Sequence, residues 1–148
     1  MTLEERQAAA PREKCGYCMG GELLDSFGIK ICDLGVSQLI LFKEQSHPGR
    51  CIVAYKDHVS EITDLTDEER NAFFADVNRA ARAIHAAFCP EKLNYGAYGD
   101  TGCHLHMHLV PKYKDDFEWG GTFAMNPGRI TLSDEEYAHM IEKIKAAL

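Results

Sequence analysis

The stretch CHLHMHLVP, residues 103–111, places three histidines at alternate positions between apolar residues. Successive side chains of a β-strand point to opposite faces, so this alternation predicts a strand with one apolar face and one histidine face. The apolar face would carry Leu105, Met107 and Leu109, and the other face His104, His106 and His108. Core packing gives no reason for three imidazoles in a row, about 7 Å apart along the strand. The row therefore indicates a functional site.

Further strands are predicted on both sides of this stretch. They are Ile29–Cys32, Ser37–Phe42, Arg50–Tyr55 and Leu93–Tyr98, with the histidine strand at His104–Val110. Turn residues separate them, and neither a Rossmann glycine pattern nor a phosphate-binding P-loop is present.

Two helices are predicted from capping boxes, in which a Ser or Thr cap pairs with a Glu three residues later. Thr66 with Glu69 starts a long helix that ends before Pro90, and Ser133 with Glu136 starts a C-terminal helix. The order of elements predicts an α+β fold: a mainly antiparallel sheet with one long helix and a C-terminal helix.

Length and charge narrow the classes of function. The 148 residues suit a single domain, which we place at 15–148 after a mobile N-terminal arm at 1–14. A net charge of −7 excludes a general binder of nucleic acid or of an anionic membrane. The sequence shows no membrane-spanning run and no secretory signal, so we expect a cytoplasmic protein with reduced thiols.

Cys15 and Cys18 form a Cys-x2-Cys pair, which is half of a tetrahedral zinc site. No second such pair exists, so two histidines are the expected remaining ligands, and the candidates are His58 and one member of the row. A redox role would need the pair after a strand, whereas here it follows a polar segment. Cys32, Cys51, Cys89 and Cys103 are predicted to be buried thiols, and His85 and His139 surface residues.

Residues 104–110 leave two interpretations of the histidine row. In the first interpretation, all three histidines bind one metal. In the second, they have different roles, in metal binding and in catalysis.

The chain resembles the histidine triad (HIT) family, whose signature is His-φ-His-φ-His-φ-φ with φ apolar. Residues 104–110 match it at every position, and Gly49–His58 is similar to the family's strand before the long helix. The stretch after the triad, through Gly121, is similar to that of bacterial members. The resemblance spans most of the chain, from Cys15 to about Gly121.

The resemblance implies a role for each candidate residue. Structural zinc would be held by Cys15, Cys18, His58 and His104. His106 would be the nucleophile, and the substrate contacts would come from His108, Asn94 and Thr101. It also implies a homodimer that binds a nucleotide or dinucleotide as substrate.

Arg50 departs from the family pattern, which usually has Pro-Gly-His where this chain has Pro48-Gly49-Arg50. Arginine suits bidentate phosphate contacts, so Arg50 is either a phosphate clamp in the lost histidine's place or a surface residue.

The implied function is a nucleotide hydrolase or nucleotidyl transferase that acts at an α-phosphate through a covalent nucleotidyl-histidine. Dinucleoside polyphosphates and nucleoside phosphoramidates are the expected substrates. Two alternatives are a non-catalytic nucleotide-binding protein with structural zinc and a metal-centred hydrolase that uses the three histidines as ligands.

Overall fold

A five-stranded antiparallel sheet organises the chain, which a computed structural model describes over residues 1–148. The strands are β1 (Gly28–Asp33), β2 (Ser37–Phe42), β3 (Cys51–Tyr55), β4 (Lys92–Gly96) and β5 (His106–Lys112). The helices are α1 (Leu3–Ala9), α2 (Gly16–Met19), α3 (Gly21–Asp25), α4 (Asp67–Phe88) and α5 (Asp134–Ala147). This confirms the predicted α+β class. None of the helices is both long and apolar enough to span a membrane.

Strand β5 lies inside the sheet although it comes last in the chain. The spatial order is β1-β2-β3-β5-β4, so β5 separates two strands that are consecutive in sequence. Ala54 of β3 pairs with His106, and Gly96 of β4 pairs with His108. The histidine strand is therefore held by hydrogen bonds on both sides.

One face of the sheet packs against α4 and α5 and forms the main core. Thr66 and Glu69 cap α4 reciprocally, as predicted, and Ser133 and Glu136 do the same for α5. The core includes Phe73, Ile84, Tyr137 and Ile144 from the helices. Full burial of a large apolar side chain contributes about 1.5–3 kcal/mol, so this face supplies most of the driving force for folding.

The long helix ends at Cys89, which adopts a left-handed conformation with φ of 51° and precedes Pro90. Cys89 is exposed, so the prediction that it is a buried thiol is wrong. It serves as the helix C-cap, and caps lie at the surface. Cys51 and Cys103 are buried as predicted, and Cys32 is partly buried.

Residues 1–14 contain the helix α1 and contact the rest of the domain. Thr2 and Glu5 form a capping box that starts α1. The Arg6 guanidinium pairs with the Asp64 carboxylate at 2.8 Å, and the Gln7 side chain donates to the carbonyl of His58 at 2.6 Å. The local cap and these two long-range contacts hold the segment against the main domain.

The opposite face of the sheet carries a smaller apolar cluster and is covered by irregular chain. Its buried members are Leu24, Ile40, Phe42, Ile52 and Ala54. The segment between β5 and α5, residues 113–132, has no regular structure and is called the strap below. Glu44 anchors it, because its carboxylate accepts from the backbone N–H of Arg129 at 2.6 Å and of Ile130 at 3.2 Å.

Candidate active site

The three histidines lie on the face opposite the helices, and the predicted alternation is confirmed. Leu105, Met107 and Leu109 belong to the main core. Strand β5 begins at His106, so His104 lies in the preceding extended segment. The segment is nevertheless fixed, because Leu105 donates to the carbonyl of Val59 at 2.6 Å. All three imidazoles are buried in the protein.

His104 faces a cluster of two thiols and a second imidazole. Its Nδ1 lies 3.4 Å from Cys15 Sγ and 3.3 Å from Cys18 Sγ, and Cys18 Sγ lies 3.4 Å from His58 Nδ1. All four donor atoms are within 4.8 Å of one another. The structure thus assembles the predicted ligand set from three distant parts of the chain.

The donor set fits a tetrahedral metal ion. Zinc–sulfur bonds of about 2.3 Å and zinc–nitrogen bonds of about 2.0–2.1 Å place ligand atoms about 3.3–3.8 Å apart. His104 Nε2 donates to the carbonyl of Tyr55 at 2.6 Å, and His58 Nε2 donates to the carbonyl of Ala10 at 2.8 Å. Because carbonyls only accept, both Nδ1 atoms keep a lone pair for the cluster. Burial lowers the pKa of His104 to about 4, which keeps it neutral.

His106 presents its second ring nitrogen to a cleft. Its Nδ1 donates to the carbonyl of His104 at 2.7 Å, and its Nε2 has no partner within the chain. The Tyr17 ring stacks on it with centroids 4.9 Å apart and planes inclined by 29°. The cleft has a volume of about 300 Å³ and is also lined by Lys14 and Thr101. Burial lowers the pKa of His106, so the neutral form is favoured.

The Nδ1 side of the His108 ring faces Arg50. The Arg50 guanidinium lies 3.1 Å from His108 Nδ1. Burial, reinforced by the Arg50 charge, lowers the pKa of His108 to about 3. The Nδ1 atoms of the triad thus face three different kinds of partner. His104 faces two sulfurs, His106 a carbonyl and His108 a guanidinium. This divergence does not fit a metal bound by all three histidines.

The structure changes both interpretations of Arg50. The residue has no exposed surface, so the expectation of a surface residue is wrong. Its Nη atoms bond to His108 and to the carbonyls of Ala124 and Met125, and it is not among the residues that line the cleft beside His106. Gly49 makes this turn possible, with φ of 93° and a position where a Cβ would lie 2.6 Å from the Phe88 ring.

The structure separates the remaining substrate-binding candidates. Thr101 is exposed and lines the cleft with His106. Asn94 pairs with Val110 and so lies on the histidine face, but it opens into a different cleft beside Trp119. The structure therefore brings Thr101 to the candidate nucleophile and leaves Asn94 apart from it. His85 and His139 are exposed, as predicted.

Several contributors were not predicted from the sequence. Tyr17 was missed as a ring that covers His106, although its place between Cys15 and Cys18 ties it to the metal cluster. His47 is buried and lies 2.7 Å from the Glu118 carboxylate of the strap. No local sequence pattern predicts this pair, because His47 and Glu118 are 71 residues apart.

The sheet, the histidine row and a Cys2His2 cluster that could hold a metal ion together define a histidine-triad protein. The HIT domain model matches residues 31–115, which is more than half of the chain. The chain therefore belongs to the HIT domain family.

Relatives and solved structures agree with this assignment. The chain is 31% identical over 106 residues to AP-4-A phosphorylase of Mycobacterium tuberculosis, which covers 68% of this chain and 51% of that one. The chain thus spans about half the length of this curated relative. A histidine triad protein from Sinorhizobium meliloti superposes with a TM-score of 0.79 at 26% identity, covering 86% of this chain and 95% of that one.

A zinc-bound histidine triad family protein from Mycobacterium smegmatis shares the fold. Its TM-score is 0.60 at 23% identity, covering 80% of this chain and 84% of that one.

Proposed function

We propose that the protein is a nucleotide hydrolase or nucleotidyl transferase that works through a covalent nucleotidyl-His106. Nε2 of His106 attacks the α-phosphorus, and the bond from phosphorus to the leaving group breaks. The leaving group departs with the bonding electrons and takes a proton from the solvent, and the acceptor of the second step releases one proton to the solvent. Water or a second acceptor then attacks the same phosphorus, the phosphorus–nitrogen bond breaks, and His106 is regenerated.

The orientation of His106 carries this proposal. Its Nδ1–H is committed to the His104 carbonyl at 2.7 Å, so the lone pair of a neutral imidazole lies on Nε2. That atom has no partner within the chain and belongs to a residue on the cleft wall. A nucleophile held in one tautomer and one ring plane needs no reorientation before attack. Stacking by Tyr17 supports the fixed plane.

Charge on the phosphoryl oxygens would be met by donors around this atom. The ring of His108 lies next to that of His106, with centroids 5.3 Å apart, and its Nε2 has no partner within the chain. Thr101 supplies a hydroxyl and Lys14 a cation at the cleft. Donors placed where charge develops stabilise the transition state rather than the ground state. Asn94 stays a candidate for contacts farther out.

The substrates we propose are nucleotides with a good leaving group on the α-phosphate. Dinucleoside polyphosphates rank first, since a relative 31% identical is named for AP-4-A, and nucleoside phosphoramidates second. We rank hydrolysis above transfer because the sequence shows no motif for a second substrate.

Zinc fits the cluster of Cys15, Cys18, His58 and His104, and we propose it as the resident metal. Two thiols and two imidazoles form a common structural zinc set, and four protein ligands leave no open position for an activated water. The metal would contribute folding energy and hold the N-terminal segment against β5. A homodimer, as the family resemblance implies, and a cytoplasmic location complete the proposal.

Rapid-quench intact-mass spectrometry tests the proposed function. The protein is mixed for milliseconds with AP-4-A, an adenosine phosphoramidate or a non-adenine analogue, quenched in alkali and weighed. We expect a mass increase of one nucleoside monophosphate, located on His106 by peptide mapping and absent from His106→Asn. Turnover without any adduct on His106 would contradict the covalent route. Tight nucleotide binding without turnover would favour the non-catalytic alternative.

A further inference from the structure

Arg50 is a buried cation in an unusual enclosure. Its guanidinium carbon lies 4.2 Å from the centroid of the Phe42 ring and 5.0 Å from that of Phe123. Its Nη atoms donate to the strap carbonyls of Ala124 at 3.2 Å and Met125 at 2.9 Å. Its Nε is buried without a partner. Aromatic faces and carbonyls, rather than a carboxylate, hold this charge in place.

The charge persists at neutral pH despite the burial. Desolvation lowers the pKa of Arg50 to about 10, and the nearby Glu44 and Glu118 carboxylates act in the opposite direction. A guanidinium in this state has donors only and no lone pair to offer. Any polar atom that contacts it must therefore accept a hydrogen bond.

We infer that Arg50 is a positioning residue that fixes His108 as its Nε2–H tautomer. His108 Nδ1 lies 3.1 Å from an Nη atom that can only donate, so Nδ1 must carry a lone pair. A neutral imidazole has one N–H, which is therefore on Nε2. The only side-chain hydrogen bond of His108 is the one at Nδ1, so the N–H on Nε2 is left for a ligand.

With this assignment, the last two histidines of the triad carry their N–H on different ring nitrogens. His106 has its hydrogen on Nδ1 and a free lone pair on Nε2. His108 has its lone pair engaged on Nδ1 and a free N–H on Nε2. One ring is then a nucleophile and the other a fixed donor for a phosphoryl oxygen. This second step rests on the proposed function, whereas the tautomer does not.

Two-bond ¹H–¹⁵N spectra of the zinc-loaded protein at pH 7 read the tautomer directly. His108→Gln identifies the signals of His108 by their loss. We expect a single Nε2–H tautomer for His108 in the unmodified protein. An Nδ1–H tautomer or an imidazolium would overturn the inference without reference to any variant or any activity.

Two variants assign the cause of the tautomer. In Arg50→Met, we expect both tautomers of His108 to be populated. Lys112→Met is the matched control, because Lys112 is also a buried cation that donates to backbone carbonyls, those of Glu118 and Gly121. We expect the control to keep the single Nε2–H form. An unchanged tautomer in Arg50→Met, or the same mixture in both variants, would refute the role of Arg50.

Single-turnover kinetics with AP-4-A test the catalytic consequence. We expect Arg50→Met to slow adduct formation by about 10- to 100-fold, the usual effect of removing a residue that orients a functional histidine. The nucleotide Kd should change much less, because Arg50 has no exposed surface. An unchanged rate of adduct formation would contradict the consequence and leave the spectral result standing. If no variant and no unmodified protein forms an adduct, the proposed function fails while the tautomer remains decided by the spectra.

Discussion

The two faces of the sheet are covered in different ways. The helix face packs α4 and α5 through a core of 18 buried apolar residues. The histidine face has a buried apolar cluster of five, and its remaining cover is a short N-terminal segment and the irregular strap. On the helix face the core is made of apolar contacts between side chains. On the histidine face, backbone carbonyls accept from His58, His104, His106 and Arg50.

Because of this difference, we assign stability mainly to the helix face and chemistry mainly to the histidine face. Apolar burial is non-directional and tolerates small shifts, whereas a carbonyl that fixes one ring nitrogen acts only at one distance and angle. We therefore expect substitutions on the helix face to lower stability and substitutions on the histidine face to alter chemistry.

His106→Asn gives the largest expected effect. Turnover should fall by roughly 10⁴-fold, the scale for removal of a covalent catalyst. Zinc content, melting temperature and nucleotide affinity should stay close to those of the unmodified protein, because His106 is not in the metal cluster. Steady-state kinetics and metal analysis measure this, with His85→Asn on the exposed side of α4 as the control. Loss of zinc together with turnover in His106→Asn would favour a metal-centred triad.

Phe73→Ala tests the helix face. Phe73 is fully buried in the main core, so its truncation should cost about 3–5 kcal/mol of unfolding free energy. Activity per folded molecule should not change. The adjacent Phe74 is 41% exposed, so Phe74→Ala is the matched control and should cost much less. Urea denaturation followed by fluorescence measures both variants, and equal costs would contradict the packing described for α4.

His104→Ala breaks the division, because this residue of the histidine face should act on stability. Removal of one of four metal ligands should weaken zinc binding by at least about 100-fold and lower the melting temperature. Turnover should fall as a consequence of the lost metal. Competition with a zinc chelator measures the affinity. Cys89→Ser, which changes an exposed thiol away from the cluster, should keep full affinity. Full zinc retention in His104→Ala would refute the ligand set.

Glu44→Gln tests the anchor of the strap and gives the smallest effect. The Glu44 carboxylate accepts bonds from Arg129, Ser46 and Ile130, and these lower its pKa against the opposing effect of burial. Its stabilising contribution is therefore fully present above the unfolded pKa, about 4.3, and is lost as the pH falls through the lower folded value. We expect Glu44→Gln to cost about 1–2 kcal/mol at pH 7.

The difference between Glu44→Gln and the unmodified protein should shrink as the pH falls below about 4. Denaturation curves from pH 7 to pH 3.5 measure it, and the exposed Glu22→Gln is the control. A constant difference over this range would show that the carboxylate charge contributes nothing.

Local patterns predicted the five strands and the two long helices, and missed the short helices α1, α2 and α3. Strand β2 has the predicted bounds, and α4 begins after Thr66 and ends before Pro90, because caps and hydrophobic periodicity are encoded within a few residues. The N-terminal segment shows the limit. Its Thr2 and Glu5 capping box was available in the sequence, but the Arg6 pair with Asp64 joins residues 58 positions apart.

The candidate site also has one part that the sequence predicts and another part that it does not. The metal ligands follow from residue types and from the family resemblance, and the structure brings Cys15, Cys18, His58 and His104 together. The burial of Arg50 does not follow from sequence, because it depends on carbonyls of the irregular strap 74 and 75 residues away. Every residue has a backbone carbonyl, so the sequence does not indicate which carbonyls will accept hydrogen bonds from Arg50.

The position of β5 between β3 and β4 has a consequence for the order of assembly. Cys51 of β3 pairs with Leu109 of β5, which comes 58 residues later in the chain. The long helix α4 lies between these two strands in sequence. Non-local strand pairing is slow because loop-closure entropy is lost before contacts compensate for it. The first three strands and α4 are synthesised while the centre of the sheet is still incomplete. Recovery of the proposed activity during refolding should therefore coincide with the pairing of β5, since the strand that completes the sheet also carries His106 and His108.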